Sequence, residues 1–171
     1  CLMIADATGH GMPSALITAS ARSCFSVMHK LAQEDPDFSY SPGAMLAFAN
    51  RVINEASSGQ IMMTFFSCVI DFSSGALTYA NAGHNPPWLF KRSGEGFELQ
   101  SLTADGPRIG EVRDIEPFHE KSLSVGPGDI LFMYTDGLTE GKDLAGKMFG
   151  KKRVKKTVES FWHVLSVVVI H

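Results

Sequence analysis

Two amphipathic segments end at Gly59, and from Met63 onward the apolar residues no longer recur at three- and four-residue steps. This change of period restricts the fold more than any other feature. The first segment, about Pro13 to Gln33, carries Leu16, Ala19, Ser23, Val27 and Leu31 on one stripe, with Phe25 and Met28 beside it. Its many small residues suit close packing on a flat sheet, and Glu34-Asp35-Pro36-Asp37 ends it, because the residue before proline disfavours helix. Ser41 as N-cap and Pro42 at the first helical position open the second. Met45, Phe48, Ala49, Val52, Ile53 and Ala56 form its stripe, and Ser57-Ser58-Gly59 closes it.

Strands follow. Met63 to Phe72 is rich in β-branched and aromatic residues, turns at Ser73-Ser74-Gly75 and returns as Ala76 to Ala82. Trp88 to Lys91 and Phe97 to Leu102 read as a second hairpin, and Glu116 to Leu123 as a further strand. Ile130 to Tyr134 is apolar at every position and is expected to be buried on both faces. The basic run Lys151 to Lys156 reads as the solvated face of a helix, and Phe161 to Ile170 as a last helix or strand. Helices first and antiparallel strands after predict an α+β chain with helices layered on sheets.

Composition narrows the function. With 171 residues, 44% hydrophobic and 19% charged, the chain reads as one globular domain. A net charge of −3 gives no electrostatic reason to expect nucleic acid as a partner, and no apolar run is long enough for a membrane segment. The three cysteines lack metal-ligand or disulfide spacing and fit reduced thiols in a cytoplasmic protein. The chain starts at Cys1, inside a strand pattern, which reads as a fragment of a longer one.

The chemistry points to two carboxylates. An apolar run from Leu2 reaches Asp6, then turns through Gly9-His10-Gly11 into a helix begun by Pro13. Taken alone, this stretch has two readings: an oxygen ligand at a strand–helix junction, or a helix-entry turn with no chemistry. Asp136, after the second apolar strand, repeats the pattern with Thr135 and Gly137 beside it. If the two strands are neighbours in the core, two acidic side chains meet and suit hard divalent cations. Neither a Gly-Lys-Ser/Thr phosphate loop, nor His-Glu-x-x-His, nor Gly-x-Ser-x-Gly is present.

Asp6-Ala7-Thr8-Gly9-His10-Gly11, Asn81-Ala82-Gly83-His84-Asn85-Pro86-Pro87, Gly128-Asp129 and Tyr134-Thr135-Asp136-Gly137-Leu138-Thr139-Glu140 together resemble the bacterial metal-dependent PPM-type (protein phosphatase 2C-like) serine/threonine phosphatases of the stage II sporulation protein E family. The resemblance spans about residues 2 to 150. It implies two stacked antiparallel β-sheets flanked by helices, an α-β-β-α sandwich, here incomplete at both ends, and a single partial domain. It also implies two Mn²⁺ or Mg²⁺ ions, with Asp6 bridging them, the Ala7 backbone carbonyl as a ligand and Asp136 on one ion. Gly9, Gly11, Thr135 and Gly137 would surround those ligands, with the Thr135 hydroxyl orienting Asp136. Read from the residues, His10 has two readings, proton donor to the leaving alkoxide or a histidine packed in the turn and bonded to a loop carbonyl, while His84 fixes its proline-rich loop. The reaction implied is attack of a metal-activated water on phosphoserine or phosphothreonine. The implied partner is a phosphoprotein substrate, an anti-sigma-factor antagonist, and the resemblance admits a homodimer.

The sequence departs from this pattern at both ends. The family's upstream Gly-Asp motif is missing, as is its closing Asp-Asp pair, since no aspartate follows Asp143. A weakly active or inactive phosphatase fragment is therefore expected. Two other readings are a non-catalytic interaction module in a signalling chain and a hydrolase of small phosphate esters using the same metals.

Overall fold

The computed structural model describes residues 1–35, 38, 41–94, 96–115 and 117–161. In chain order the elements are β1 (Leu2–Ala7), α1 (Met12–Glu34), α2 (Pro42–Ser57), β2 (Met63–Asp71), β3 (Ala76–Ala82), β4 (Trp88–Ser93), β5 (Gly96–Ser101), β6 (Lys121–Ser124), β7 (Ile130–Phe132), α3 (Asp136–Glu140) and α4 (Gly150–Phe161). The α+β class holds: two antiparallel sheets are accompanied by helices. The chain divides into two compact units, residues 1–84 with 103–124 and residues 85–102 with 125 onward. Among the described residues no helix is long and apolar enough to cross a membrane.

In the first unit the sheet order is β1-β2-β3-β6, every pair antiparallel. Met63 and Phe65 of β2 and Ala80 and Ala82 of β3 join Ile17, Ala21, Phe25 and Met28 of α1 and Met45, Ala49 and Ile53 of α2 in one core. Both helices therefore lie on one face of this sheet. Since side chains alternate along a strand, Ile4 and Asp6 of β1, Thr64 and Phe66 of β2 and Asn81 of β3 project from the opposite face.

The buried stripe of α1 differs from the one expected. Ile17, Ala21, Cys24, Phe25 and Met28 are buried, whereas Leu16 is 63% and Val27 56% exposed, and Leu31 is exposed as well. Helix α1 is apolar on two adjacent faces, and contact with the sheet selects one of them. In α2, Phe48 is exposed and Leu46, Ala47 and Asn50 are buried in its place. The Asn50 amide donates to the Val112 carbonyl at 2.7 Å and accepts from Gly110 N at 2.7 Å, pinning the 109–113 loop to the helix.

The expected strand from Glu116 shrinks to Lys121–Ser124. Pro117 has no N–H for a ladder. Phe118 N donates instead to the Gly43 carbonyl at 3.3 Å, and the Glu120 carboxylate accepts from Gly43 N at 2.6 Å and from the Ser41 hydroxyl. This segment holds the N-terminus of α2. Ser41 caps that helix as expected, accepting from Ala44 N at 3.2 Å.

In the second unit the sheet order is β5-β4-β7. Trp88, Phe90, Ile130 and Tyr134 pack with Val154 and Val158, so α4 buries its valines and leaves Lys151, Lys152 and Arg153 exposed. The basic run is a solvated helix face, as read from the sequence. β7 is buried on both faces at Ile130 and Leu131, as expected, and Tyr134 beyond it is buried too. It is a three-residue strand that, among the described residues, pairs with β4 alone, and Phe132 and Met133 are half-buried. The expectation for the 162–170 stretch lies outside the described residues, as do Pro36 and Asp37.

Candidate functional site

Asp6 is the penultimate residue of β1 and is half-buried. The strand leading to it is not the buried one expected, because among the described residues β1 pairs with β2 alone and Met3 is exposed. Its register is nevertheless tightly set. Asp6 stands opposite Thr64, whose hydroxyl lies 3.5 Å from the Asp6 carbonyl oxygen and 2.8 Å from His84 Nδ1. Thr64 has a single hydroxyl hydrogen. When that hydrogen is given to Asp6, His84 Nδ1 must be the donor to Thr64 Oγ1, which selects the Nδ1–H tautomer.

His84 is in turn fixed by Asn81. The Asn81 amide donates to the His84 carbonyl at 3.0 Å, and His84 N donates to Asn81 Oδ1 at 2.7 Å, with both residues buried. Gly83, immediately before His84, has φ +68°, and a Cβ there would meet Arg108 Cγ at 2.8 Å. His84 does fix its proline-rich loop, and it also reaches back to the strand that carries Asp6. Thr64 and Asn81 are the contributors that the sequence reading did not assign. The hint for Asn81 was its place in the Asn-Ala-Gly-His run and for Thr64 its place in Met63-Thr64-Phe65-Phe66, which also fits the family pattern, and neither had a role assigned.

The next residues are held just as closely. Thr8 N donates to the Met62 carbonyl at 2.9 Å, Thr8 Oγ1 donates to the same oxygen at 2.9 Å, and Met62 N donates to Thr8 Oγ1 at 3.2 Å. The peptide joining Ala7 to Thr8 is trans, so with its N–H on Met62, the residue before β2, the Ala7 carbonyl points away from that strand. That carbonyl is aimed where an outside ligand can be met. Gly9 and Gly11 both have φ +84°, a region side chains disfavour, and they bend the chain into α1, with Pro13 in its first turn. His10 is exposed between them and has no hydrogen-bonding partner among the described residues.

Asp136 belongs to the second unit and arrives differently from the expected strand end. Three residues separate it from β7, and it is the first residue of the short helix α3, exposed. What positions it is Asp129, buried, whose carboxylate accepts from Gly126 N at 3.0 Å and from Arg92 N at 2.8 Å. This ties the turn before β7 to β4 and sets the pairing of Ile130 with Phe90 and of Phe132 with Trp88. The Tyr134 ring packs on Trp88 at 4.9 Å between centroids, two residues before Asp136. Thr135 makes no side-chain cap bond. Thr139 holds this helix instead, donating to the Asp136 carbonyl at 3.0 Å. Gly137 lies on the exposed side of α3.

Both candidate ligand sets consist of oxygen. Among the described residues no group of three or more His, Cys, Asp or Glu side chains is placed to cage a metal. A hard cation such as Mg²⁺ takes one or two carboxylates and keeps much of its water, so Asp6 with the Ala7 carbonyl fits that chemistry without a closed cage. The cysteines are free thiols. Burial pushes Cys24 and Cys68 up to about 11, so neither is a ready thiolate ligand near neutrality.

The family model for stage II sporulation protein E (SpoIIE) matches residues 1–168. The chain is 32% identical to the phosphoserine phosphatase RsbP of Bacillus subtilis, over 81% of this chain and 33% of RsbP. Among solved structures it is similar to the SiaA-PP2C domain of Pseudomonas aeruginosa, with TM-score 0.70 and 24% identity, covering 93% of this chain and 60% of that one. It is also similar in fold to the catalytic domain of the serine threonine protein phosphatase PstP, solved with two manganese ions, with TM-score 0.58 and 16% identity over 96% of this chain and 75% of that one. The chain spans 16% to 38% of the length of the curated relatives it matches.

Proposed function

Because this chain belongs to the stage II sporulation protein E family, we propose that it hydrolyses phosphoserine or phosphothreonine in a protein substrate with the help of Mn²⁺ or Mg²⁺. The observation that carries the reading is how Asp6 and Ala7 are held. One is braced through Thr64 by a buried histidine, and the other has its carbonyl turned away from the sheet by the Thr8–Met62 bonds. A flexible loop acid would not need such bracing, whereas a metal ligand does. The phosphoserine phosphatase RsbP and the manganese-bound PstP domain support the substrate class and the cofactor.

In this reading Asp6, the Ala7 carbonyl and Asp136 are oxygen ligands. A bound divalent ion supplies charge stabilisation and a water of lowered pKa. The protein's share is to fix the backbone that carries those oxygens: Thr64 and His84 at the Asp6 main chain, Asp129 and Thr139 in the segment bearing Asp136. His10, exposed on its glycine turn, is the proton donor to the leaving serine oxygen. A phosphorylated anti-sigma-factor antagonist is the substrate the family suggests. The test is Mn²⁺-dependent phosphate release from a phosphoserine protein by the full-length protein, with Asp6→Asn beside it. Release unaffected by chelation or by Asp6→Asn would overturn the proposal.

A further inference from the structure

Seven of the fifteen lysines and arginines fall between residues 142 and 156 with a single acid, Asp143, a local charge of +6. Since the whole chain is −3, all other residues together carry −9. Such an asymmetry is an electrostatic address for an anionic partner. The fold shapes part of it into a cleft of about 430 Å³ lined by Leu138, Lys142, Lys147, Phe149 and Arg153, with Gly137 and Asp143 at its wall.

The cleft is held in shape by its own loop. Asp143 Oδ1 accepts from Ala145 N at 3.0 Å and from Lys147 N at 2.9 Å, Asp143 N donates to the Lys147 carbonyl at 3.0 Å, and Phe149 N donates to the Gly141 carbonyl at 2.8 Å. The one acid in the segment is thereby occupied with backbone N–H groups. Among the described residues, Lys155 with Glu159 at 3.8 Å is the sole ion pair of the seven cations, so Lys142, Lys147 and Arg153 are left for a ligand. Leu138 and Phe149, both exposed, add apolar surface between them.

The geometry points to a docking cleft for an acidic segment of the phosphoprotein substrate, with an apolar side chain among its acids. Charge complementarity argues for this occupant, and so does position, because the wall begins at Gly137, the residue after Asp136. A segment seated here lies beside the start of α3. The inference rests on the phosphatase reading for the identity of its ligand, though the cleft itself does not.

The test uses the full-length protein and two fluorescein-labelled phosphoserine peptides, one flanked by Asp, Glu and Leu and one with the acids replaced by Gln and Ser. Anisotropy titrations in EDTA report binding without turnover. The expected result is a preference for the acidic peptide of about tenfold at low salt, shrinking as salt rises. It should be lost in Lys142→Glu/Lys147→Glu/Arg153→Glu and retained in Lys142→Arg/Lys147→Arg. Far-UV circular dichroism confirms that each variant is folded, and a single Lys147→Glu change serves if the triple variant is not. An unchanged preference in the charge-reversed protein overturns the proposal. So does an equal loss in Lys151→Glu/Lys152→Glu, which alters charge outside the cleft. Preference that follows the cleft charges in EDTA, with no phosphate release from either peptide when Mn²⁺ is supplied in place of EDTA, supports docking and refutes the phosphatase reading instead.

Discussion

Asp6 faces Thr64 across the β1–β2 ladder, and the same Thr64 hydroxyl lies 2.8 Å from the imidazole of the buried His84. One hydroxyl thus links the strand pair that carries a candidate metal ligand to a loop residue twenty positions further along the chain. Thr64→Val keeps the shape of the side chain and removes the link. We expect Mn²⁺ binding to weaken by up to roughly tenfold, because the backbone that carries the Asp6 carboxylate loses an anchor. Stability should fall by about 1–3 kcal/mol, because a buried imidazole nitrogen loses its partner. Isothermal titration with Mn²⁺ and urea denaturation read the two effects separately, and Thr64→Ser should restore metal binding. Nitrogen-15 shifts of His84 should report the Nδ1–H tautomer in the wild type.

Removing a ligand carboxylate should be more severe than removing its brace. Asp6→Asn is expected to weaken Mn²⁺ binding by more than about 100-fold, beyond the range of an outer-partner loss. Asp136→Asn should act in the same direction while leaving the melting curve close to that of the wild type, since Asp136 is exposed at a helix start. Unaltered titrations for both variants would remove them from the ligand set.

Asn50 is the strongest candidate for a purely structural role. It is almost fully buried, and its amide satisfies Gly110 N, the Val112 carbonyl and, at 3.3 Å, the Arg113 carbonyl. Asn50→Leu fills the space but strands those backbone groups. A destabilisation of about 2–4 kcal/mol is expected at an unchanged urea m-value.

Alkaline pH should weaken the fold through its buried thiols. Cys24 and Cys68 are pushed from 9.0 up to about 11, by burial in both cases. Their folded values exceed the unfolded ones, so the folded state keeps protons that the unfolded state releases. The stabilisation is complete below about pH 9 and is lost as pH rises towards 11. Melting temperatures from pH 8 to 11 should fall, and Cys24→Ala/Cys68→Ala should flatten the slope. At pH 8, iodoacetamide should modify the exposed Cys1 first.

Much of this was legible along the chain. The strand to Asp6, the Gly9–Gly11 bend and the Ser41 cap are local features, fixed by residues a few positions apart, and each formed where expected, although the strand is only half-buried. Which stripe of α1 is buried was not legible, because Leu16 and Ile17 both belong to plausible helical stripes and only the sheet chooses between them. The apolar run at β7 did signal burial on two sides, seen at Ile130 and Leu131, but not that Phe132, its ring on Trp88 at the edge of the described sheet, stays half-buried. The Thr64–His84 link has no signal at all in a lone sequence, being a product of register.

The free side of β1 carries a second meaning. Among the described residues β1 pairs with β2 alone, the Ala7 carbonyl points to its other side, and neither lysine nor proline in Leu2–Ala7 blunts that side. A second molecule's backbone can zip onto the same row of unsatisfied amides. Concentrated solutions of this chain should therefore self-associate through β1, and occupancy of the ligand oxygens should compete with that association.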